Sequence, residues 1–232
     1  MKFFYDMHIH SDLSPCSNED MTPNNIVNMS CLKGLNIISV TDHNTCENLP
    51  AIKVLCEKTD LVFVPGIEVT TREEVHVLCY FKYTDHAMEF GKVIYDSLPN
   101  VKNIPSIFGM QNIYNSQDEI IGSLDKLLIN ASVYSLKEIN LMMKDYHGVM
   151  VPAHVNKTSN SLFGILGFIP LDIQINIVEV YSKLSINEKL IKNLKVLHNS
   201  DAHNLIDISE AENYFVLNNK EEVFDILGFY KI

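Results

Sequence analysis

Apolar positions along this chain keep two rhythms. Short β-branched or aromatic runs at 3–9, 36–40, 61–64, 67–69, 75–81, 149–153, 177–181, 195–199 and 214–217 read as strands. Between most of them the apolar residues fall at helical spacing. Thr22-Pro23 is an N-cap with proline at the first helical position, leading Ile26, Val27, Met29 and Leu32 to a stop at Gly34. Asn48-Leu49-Pro50 opens a second helix carrying Ile52, Leu55 and Cys56, and Thr84 is expected to cap a third with Met88, Gly91, Ile94, Tyr95 and Leu98. Ser135 with Glu138 three residues on forms a capping box for a helix running through Ile139, Met142, Met143 and Tyr146 to Gly148. Short helices are expected at 187–194 and near 221–227. Over 99–130 the pattern fades into Asn, Pro, Gly and Ser, so this stretch reads as an insertion in a long loop, within about 83–134.

Strand then helix, repeated about seven times, predicts right-handed βαβ units, a parallel sheet and an α/β fold. In a closed barrel of that kind the βα loops gather where the strands end, and active sites form there. Nearly every strand of this chain delivers a histidine or a carboxylate at that point: His8 and His10, Asp42 and His43, Glu68, His76, His154, then Asp201 and His203. Side chains two apart on a strand share a face, so His8-x-His10 is placed to grip one cation. Six of the nine histidines belong to this set; His86, His147 and His198 read as helix-end or core residues. Imidazole and carboxylate donors without an ordered thiolate set favour Zn²⁺, Mn²⁺ or Fe²⁺. So many ligands exceed the need of one ion, which predicts two or three bridged divalent metals.

Composition narrows the picture. A chain of 232 residues, 47% hydrophobic, suits one compact domain over 1–232. The formal charge of −11 (18 Lys+Arg, 29 Asp+Glu) argues against tight duplex nucleic-acid binding, although bound cations could reverse the field locally. The five cysteines show no Cys-x-x-Cys pair, which suggests a reducing compartment. With no signal-peptide pattern and no apolar run near 18 residues, a cytoplasmic protein without membrane contact is expected.

His8-x-His10, Thr41-Asp42-His43, Gly66-Ile67-Glu68, His76, Pro152-Ala153-His154 and Ser200-Asp201-Ala202-His203, in this order, resemble the signature of the PHP (polymerase and histidinol phosphatase) family. The resemblance implies a distorted, TIM-barrel-like (β/α)7 barrel with a trinuclear metal site that hydrolyses phosphoesters. It implies that His8, His10 and Asp201 hold one metal, with Glu68 bridging to a second completed by His76 and His154. His43 and His203 would hold a third, with a residue from the loop after the first strand. That loop, Ser14-Pro15-Cys16-Ser17-Asn18-Glu19-Asp20, is longer than the family's usual one; Asp20 is the chosen ligand, with Cys16 and Glu19 competing. Glu68, His203 and Asp42 are the catalytic candidates, Asp42 being either a partner of the ligands or a turn residue. Glu179, a carboxylate in an apolar strand, is read as support near the metals or as a rim residue. Lys157 is a candidate for a substrate phosphate oxygen. The expected activity is a phosphoesterase acting on a small phosphomonoester or a nucleotide or oligonucleotide phosphoester, with a small phosphorylated molecule as partner. A metal-dependent amidohydrolase and a non-catalytic PHP-like module are the alternatives.

Overall fold

The computed structural model describes residues 1–181 and 183–229. Its first half runs β1 (Lys2–Ile9), α1 (Pro23–Leu32), β2 (Ile37–Val40), α2 (Leu49–Cys56), β3 (Val62–Phe63), β4 (Gly66–Thr70), β5 (His76–Phe81) and α3 (Thr84–Ser97). The insertion follows with α4 (Pro105–Phe108), β6 (Asn112–Tyr114) and β7 (Ile120–Ser123). The rest is α5 (Leu136–Asp145), β8 (Gly148–Pro152), α6 (Leu162–Ile165), β9 (Ile177–Glu179), β10 (Lys195–Leu197), β11 (Tyr214–Val216) and α7 (Val223–Leu227). Among the described residues no helix is long and apolar enough to cross a membrane.

Local chemistry accounts for several boundaries. Thr22 caps α1 through its side chain with Pro23 at the first position, and Ser135 and Glu138 close both halves of the capping box on α5. Thr84, in contrast, does not cap α3: the helix begins at that residue, after an extended Tyr83. The segment at 187–194 forms no α-helix, only a 3₁₀ turn over Glu188–Leu190.

The α/β character is as expected; the closed, all-parallel (β/α)7 barrel is not what the strands form. They fall into sheets ordered β11-β1-β2-β3, β4-β5-β8, β9-β10 and β6-β7, and among the described residues no continuous ladder closes a ring. β1, β2 and β3 pair in parallel, as do β9 and β10, but β4–β5, β5–β8 and β1–β11 are antiparallel. Only five residues, 71–75, join β4 to β5. A parallel crossover needs a dozen or more, so this connection can only be a hairpin. The reversal has a consequence for the site: it is the first residue of β5, His76, that lies beside the end of β4, paired with Thr70.

The strands still share an interior. Tyr5, Met7, Ile37, Val62, Leu78, Tyr80, Val151, Ala153, Ile177 and Leu197 meet in one buried cluster, though they come from different sheets. A second cluster lies between the sheets and the helices, taking Ile26, Ile52, Phe90 and Ile139 from α1, α2, α3 and α5. α3 thus belongs to the core, and the true insertion is the shorter stretch around α4, β6 and β7. That insertion is built down onto the loop after β1. Tyr114 and Asn112 donate to Asp12 Oδ2 at 2.5 and 2.7 Å, and the Tyr114 N–H donates to Asn48 Oδ1 at 2.8 Å. At Gly109, φ is +96° and an added Cβ would stand 2.4 Å from the Pro15 carbonyl oxygen, so only glycine permits this approach. Replacing Tyr114 by Phe leaves the buried Asp12 carboxylate short of a partner; a loss of about 1–3 kcal/mol is expected in urea unfolding.

Candidate metal centre

Strand ends and the turns after them set out the cluster. His8 lies within β1 and His10 just past it, where pairing of β1 with β2 shifts register between Asp6 and Ile9. His43 follows β2, Glu68 sits in β4, His76 starts β5, and His154 follows β8. Asp201 and His203 follow β10. The backbone at His154 and Asp201 is left-handed, with φ of 28° and 54°, a conformation that costs about 1–3 kcal/mol for such residues and is held where surroundings enforce it.

Glu68 is the hub. Its Oε1 lies 3.0 Å from His76 Nδ1, 3.2 Å from His154 Nε2 and 3.4 Å from His8 Nε2; its Oε2 lies 3.0 Å from His43 Nδ1 and 3.4 Å from His10 Nε2. Asp201 Oδ1 is 3.3 Å from both His8 Nε2 and His10 Nε2. Three triads converge closely enough to share ions: His8, His10 and Asp201; His43, Glu68 and His76; and His10, His43 and His203. The first is the set implied by family resemblance. In the second, His43 stands where His154 was expected, although His154 also reaches Glu68.

The charge balance shows what this cluster lacks. Burial alone would raise the Glu68 carboxyl, but His76, His8 and His43 hold it well below the usual range. Burial disfavours charge on His10 and His43, yet Asp201 and Glu68 raise the first to about 9, and Glu68 with Cys16 raises the second to about 9. His8 is also raised well above normal, against its burial, by Glu179, Asp201 and Glu68. His203 is pushed down to about 3 by burial and by His10, so it is a neutral lone-pair donor at pH 7.

Four braces aim these ligands. His8 Nδ1 faces both Glu179 oxygens at 3.0 Å, and Glu179 also accepts from the His154 N–H at 2.8 Å and Asn199 Nδ2 at 2.7 Å. His10 Nδ1 lies 3.1 Å from Ser14 Oγ, whose hydroxyl donates to Asp42 Oδ1 at 2.7 Å. His203 Nδ1–H donates to the Asp201 carbonyl at 2.9 Å. Asp6 accepts from Ser200 N–H, Ser200 Oγ and Ser209 N–H, tying the turn that carries Asp201 to β1. With Nδ1 so engaged, neutral His8 and His10 present their Nε2 lone pairs inward, only 3.1 Å apart. Two lone pairs at that separation repel unless a proton or cation lies between them. Buried ring nitrogens of His43 and His154 also lack a hydrogen-bond partner. The donor set and these orphaned atoms fit divalent metal ions.

Asp42 does not face the cluster. It accepts from Ser11 N–H, Ser11 Oγ and Ser14 Oγ at 2.6–2.7 Å and so holds the loop after β1. Asp20 is exposed and does not line the cleft over the cluster, nor does Glu19. Asp20 therefore is not brought to the site, because the loop after β1 turns its far end outward to begin α1; Cys16 lines the cleft instead. Lys157 reaches the mouth, hydrogen-bonding Asp201 Oδ2 with its ammonium 4.7 Å from the Tyr181 ring centroid. The cleft itself, about 370 Å³, is open to solvent. A roomier cavity of about 810 Å³ lies past the other end of β5, near Lys53, His86 and Lys220, with none of the three triads in it. Sequence reasoning missed Asp6, Ser14 and Asn199. Asp6 alone carried a signal, an acid in an apolar strand two residues before His8.

No family model matches the chain, and no curated protein does. Solved structures do. The lesion-specific endonuclease Q of Pyrococcus furiosus superposes with TM-score 0.63 at 21% identity, covering 88% of this chain and 49% of that one. A complex of Endonuclease Q with a 27-mer duplex bearing an abasic lesion at its active site gives TM-score 0.62, 21% identity and coverage of 88% and 50%. This chain thus spans about half the length of those proteins. A putative metal-dependent phosphoesterase of Bifidobacterium adolescentis gives 0.62 at 18% identity over 96% of this chain and 95% of that one. An amidohydrolase of Chromobacterium violaceum, with bound sulfate and no metal, gives 0.60 at 15% over 92% and 91%. At these identities the likeness establishes fold: the chain has the fold of the PHP-like metal-dependent phosphoesterases that its motifs resemble.

These neighbours correct one expectation. The resemblance led to a small phosphorylated partner, and net charge argued against tight duplex binding; yet Endonuclease Q, a neighbour in fold, holds a duplex with an abasic lesion at its active site. Charge summed over a surface does not set the field inside a cleft where cations collect.

If metals load this cluster, protons must leave it, since imidazole binds metal only when neutral. Against burial, the carboxylates raise His10 and His43 to about 9 and His8 above its ordinary value, so titration with Zn²⁺ or Mn²⁺ near pH 7 should release protons. Apparent affinity should strengthen as pH rises toward about 9. Calorimetry in two buffers of different ionisation enthalpy measures both; binding without proton release would refute this charge assignment.

Proposed function

We propose that this protein is a divalent-metal-dependent phosphoesterase whose substrates are nucleic-acid phosphodiesters. The observation that carries the reading is the convergence of six histidines on the single buried carboxylate of Glu68 and on Asp201, at the floor of an open cleft. Endonuclease Q, with this fold and a duplex at its active site, supports the substrate class.

His8, His10, Asp201, Glu68, His76, His43, His154 and His203 would hold the ions. When bound, divalent cations neutralise charge on phosphoryl oxygens and acidify water for attack on phosphorus. The chain's own part is placement. Glu68 stays ionised and lies between two histidine groups, so one carboxylate can serve two ions. Glu179 and Ser14 keep the Nε2 atoms of His8 and His10 aimed inward. Lys157, on the cleft rim, offers a cation to a non-bridging oxygen of the substrate and meanwhile compensates Asp201. His203 acts through its lone pair and not as a proton donor.

Purified protein with Mn²⁺ or Zn²⁺ should nick duplex oligonucleotides, with and without abasic or deaminated sites, or hydrolyse an aryl phosphodiester; lactone and amide substrates test the amidohydrolase alternative. Glu68→Ala should lose roughly 10²–10³-fold or more in rate with circular dichroism unchanged. Undiminished phosphoester turnover in that variant, or lactone hydrolysis alone in the parent, would overturn the reading. Glu179→Gln removes a brace and not a ligand, and should cost about 10–100-fold in metal affinity by equilibrium dialysis.

A further inference from the structure

The triad of His10, His43 and His203 has three imidazole donors and no carboxylate of its own. Its neighbours in the cleft supply one more donor on that side, the thiol of Cys16, which lines the wall with His43 and His203. We propose that Cys16 is a ligand of the cation held by His10, His43 and His203, which makes this position selective for thiophilic ions such as Zn²⁺ or Fe²⁺ over Mg²⁺. The inference rests on the cluster binding cations, as proposed above.

Two kinds of observation carry it. His43 is buried, and its Nδ1 has no hydrogen-bond partner although Glu68 Oε2 stands 3.0 Å away. His43 belongs both to the triad with Glu68 and His76 and to the triad with His10 and His203, and its buried ring lines the cleft beside Cys16. Second, the loop bearing Cys16 is fixed on both sides. The Ser17 N–H donates to the Ser14 carbonyl at 2.9 Å and the Asn18 N–H to the His203 carbonyl at 2.9 Å. Pro15 lies beneath Gly109 of the insertion, and Asp42 holds Ser11 and Ser14. These contacts couple residue 16 to the ligands themselves, through Ser14 to His10 and through Asn18 to His203. Cys16, Glu19 and Asp20 are all exposed, but only Cys16 lines the cleft; the two oxygen donors lie off it.

Coordination exchanges the S–H bond for a sulfur–cation bond, the proton passing to solvent, with no change of oxidation state. Imidazole suits Zn²⁺, Fe²⁺ and Mn²⁺ alike, whereas thiolate discriminates against the harder ions. A mixed cluster would follow, with oxygen-rich positions around Glu68 and Asp201 and a sulfur-bearing position at the rim.

The test loads metal-free protein with Co²⁺ and records its absorption spectrum, with retained cobalt counted by elemental analysis after desalting. A near-UV thiolate-to-cobalt charge-transfer band is expected in the parent, in Cys31→Ser and in Asp20→Asn. It should vanish in Cys16→Ser while the visible ligand-field bands remain. Cobalt retained without that band in the parent, or a band surviving in Cys16→Ser, overturns the role of Cys16 and leaves the rest of the centre standing. No retained cobalt overturns both proposals. A second readout needs no variant: Zn²⁺ should slow alkylation of Cys16 by iodoacetamide at least roughly tenfold, because a coordinated thiolate is a poor nucleophile, while exposed Cys31 reacts at an unchanged rate. Equal rates for Cys16 with and without Zn²⁺ would overturn the assignment.

Discussion

Two imidazole nitrogens facing each other at 3.1 Å, with carboxylates 3.3–3.4 Å away, cannot persist as bare lone pairs in a buried space. Something positive must sit among them, either protons, which the carboxylates beside His10 and His43 favour, or metal ions. This demand for a cation is the constraint around which the rest of the structure is arranged. It explains why a hydrophobic interior tolerates so many titratable groups at all. Within the cluster the carboxylates of Glu68 and Asp201 are each compensated by histidines, and isolated burial of either would be prohibitive.

Holding the groups in this tension requires supports as rigid as the ligands are reactive. Asp6, Asp42 and Glu179 are buried acids that hydrogen-bond to backbone amides, hydroxyls and a histidine ring, not to the centre of the cluster. Each ties together two segments far apart in sequence. Asp6 links β1 to the turn after β10, Asp42 links the turn after β2 to the loop after β1, and Glu179 links β9 to His8 and His154. Left-handed backbone at His154 and Asp201 is affordable in this setting because the surrounding bonds leave no alternative.

Electrostatics on two scales must be kept apart. The chain is acidic overall, at −11, and that figure taken alone implies repulsion of DNA. But screening limits exposed charges to about a Debye length, roughly 8–10 Å, and a cleft that gathers several dications is governed by those ions. Endonuclease Q, about half of whose length this chain matches, has a duplex with an abasic lesion at its active site.

Much of this was legible in the residues alone. Periodicity marked most strands and the capped helices α1 and α5, because those signals are local: side-chain alternation, a hydroxyl cap, a proline at the first turn. The histidines and acids at strand ends were legible too, since strand-then-turn punctuation locates them without any knowledge of pairing. Pairing itself was decided only in three dimensions. The hairpin of β4 and β5, the open ladder in place of a ring, and the exchange of His43 for His154 in one triad depend on which strands meet and in which direction. So does the placement of the loop after β1, where the residues alone led to Asp20 as the ligand over Cys16 and Glu19. The tertiary contacts of Ser14, Asn18 and Gly109 turn Cys16 toward the cluster and leave Asp20 in solvent, because a side chain's direction in an irregular loop is set by the distant groups that hold its backbone and not by its neighbours in sequence.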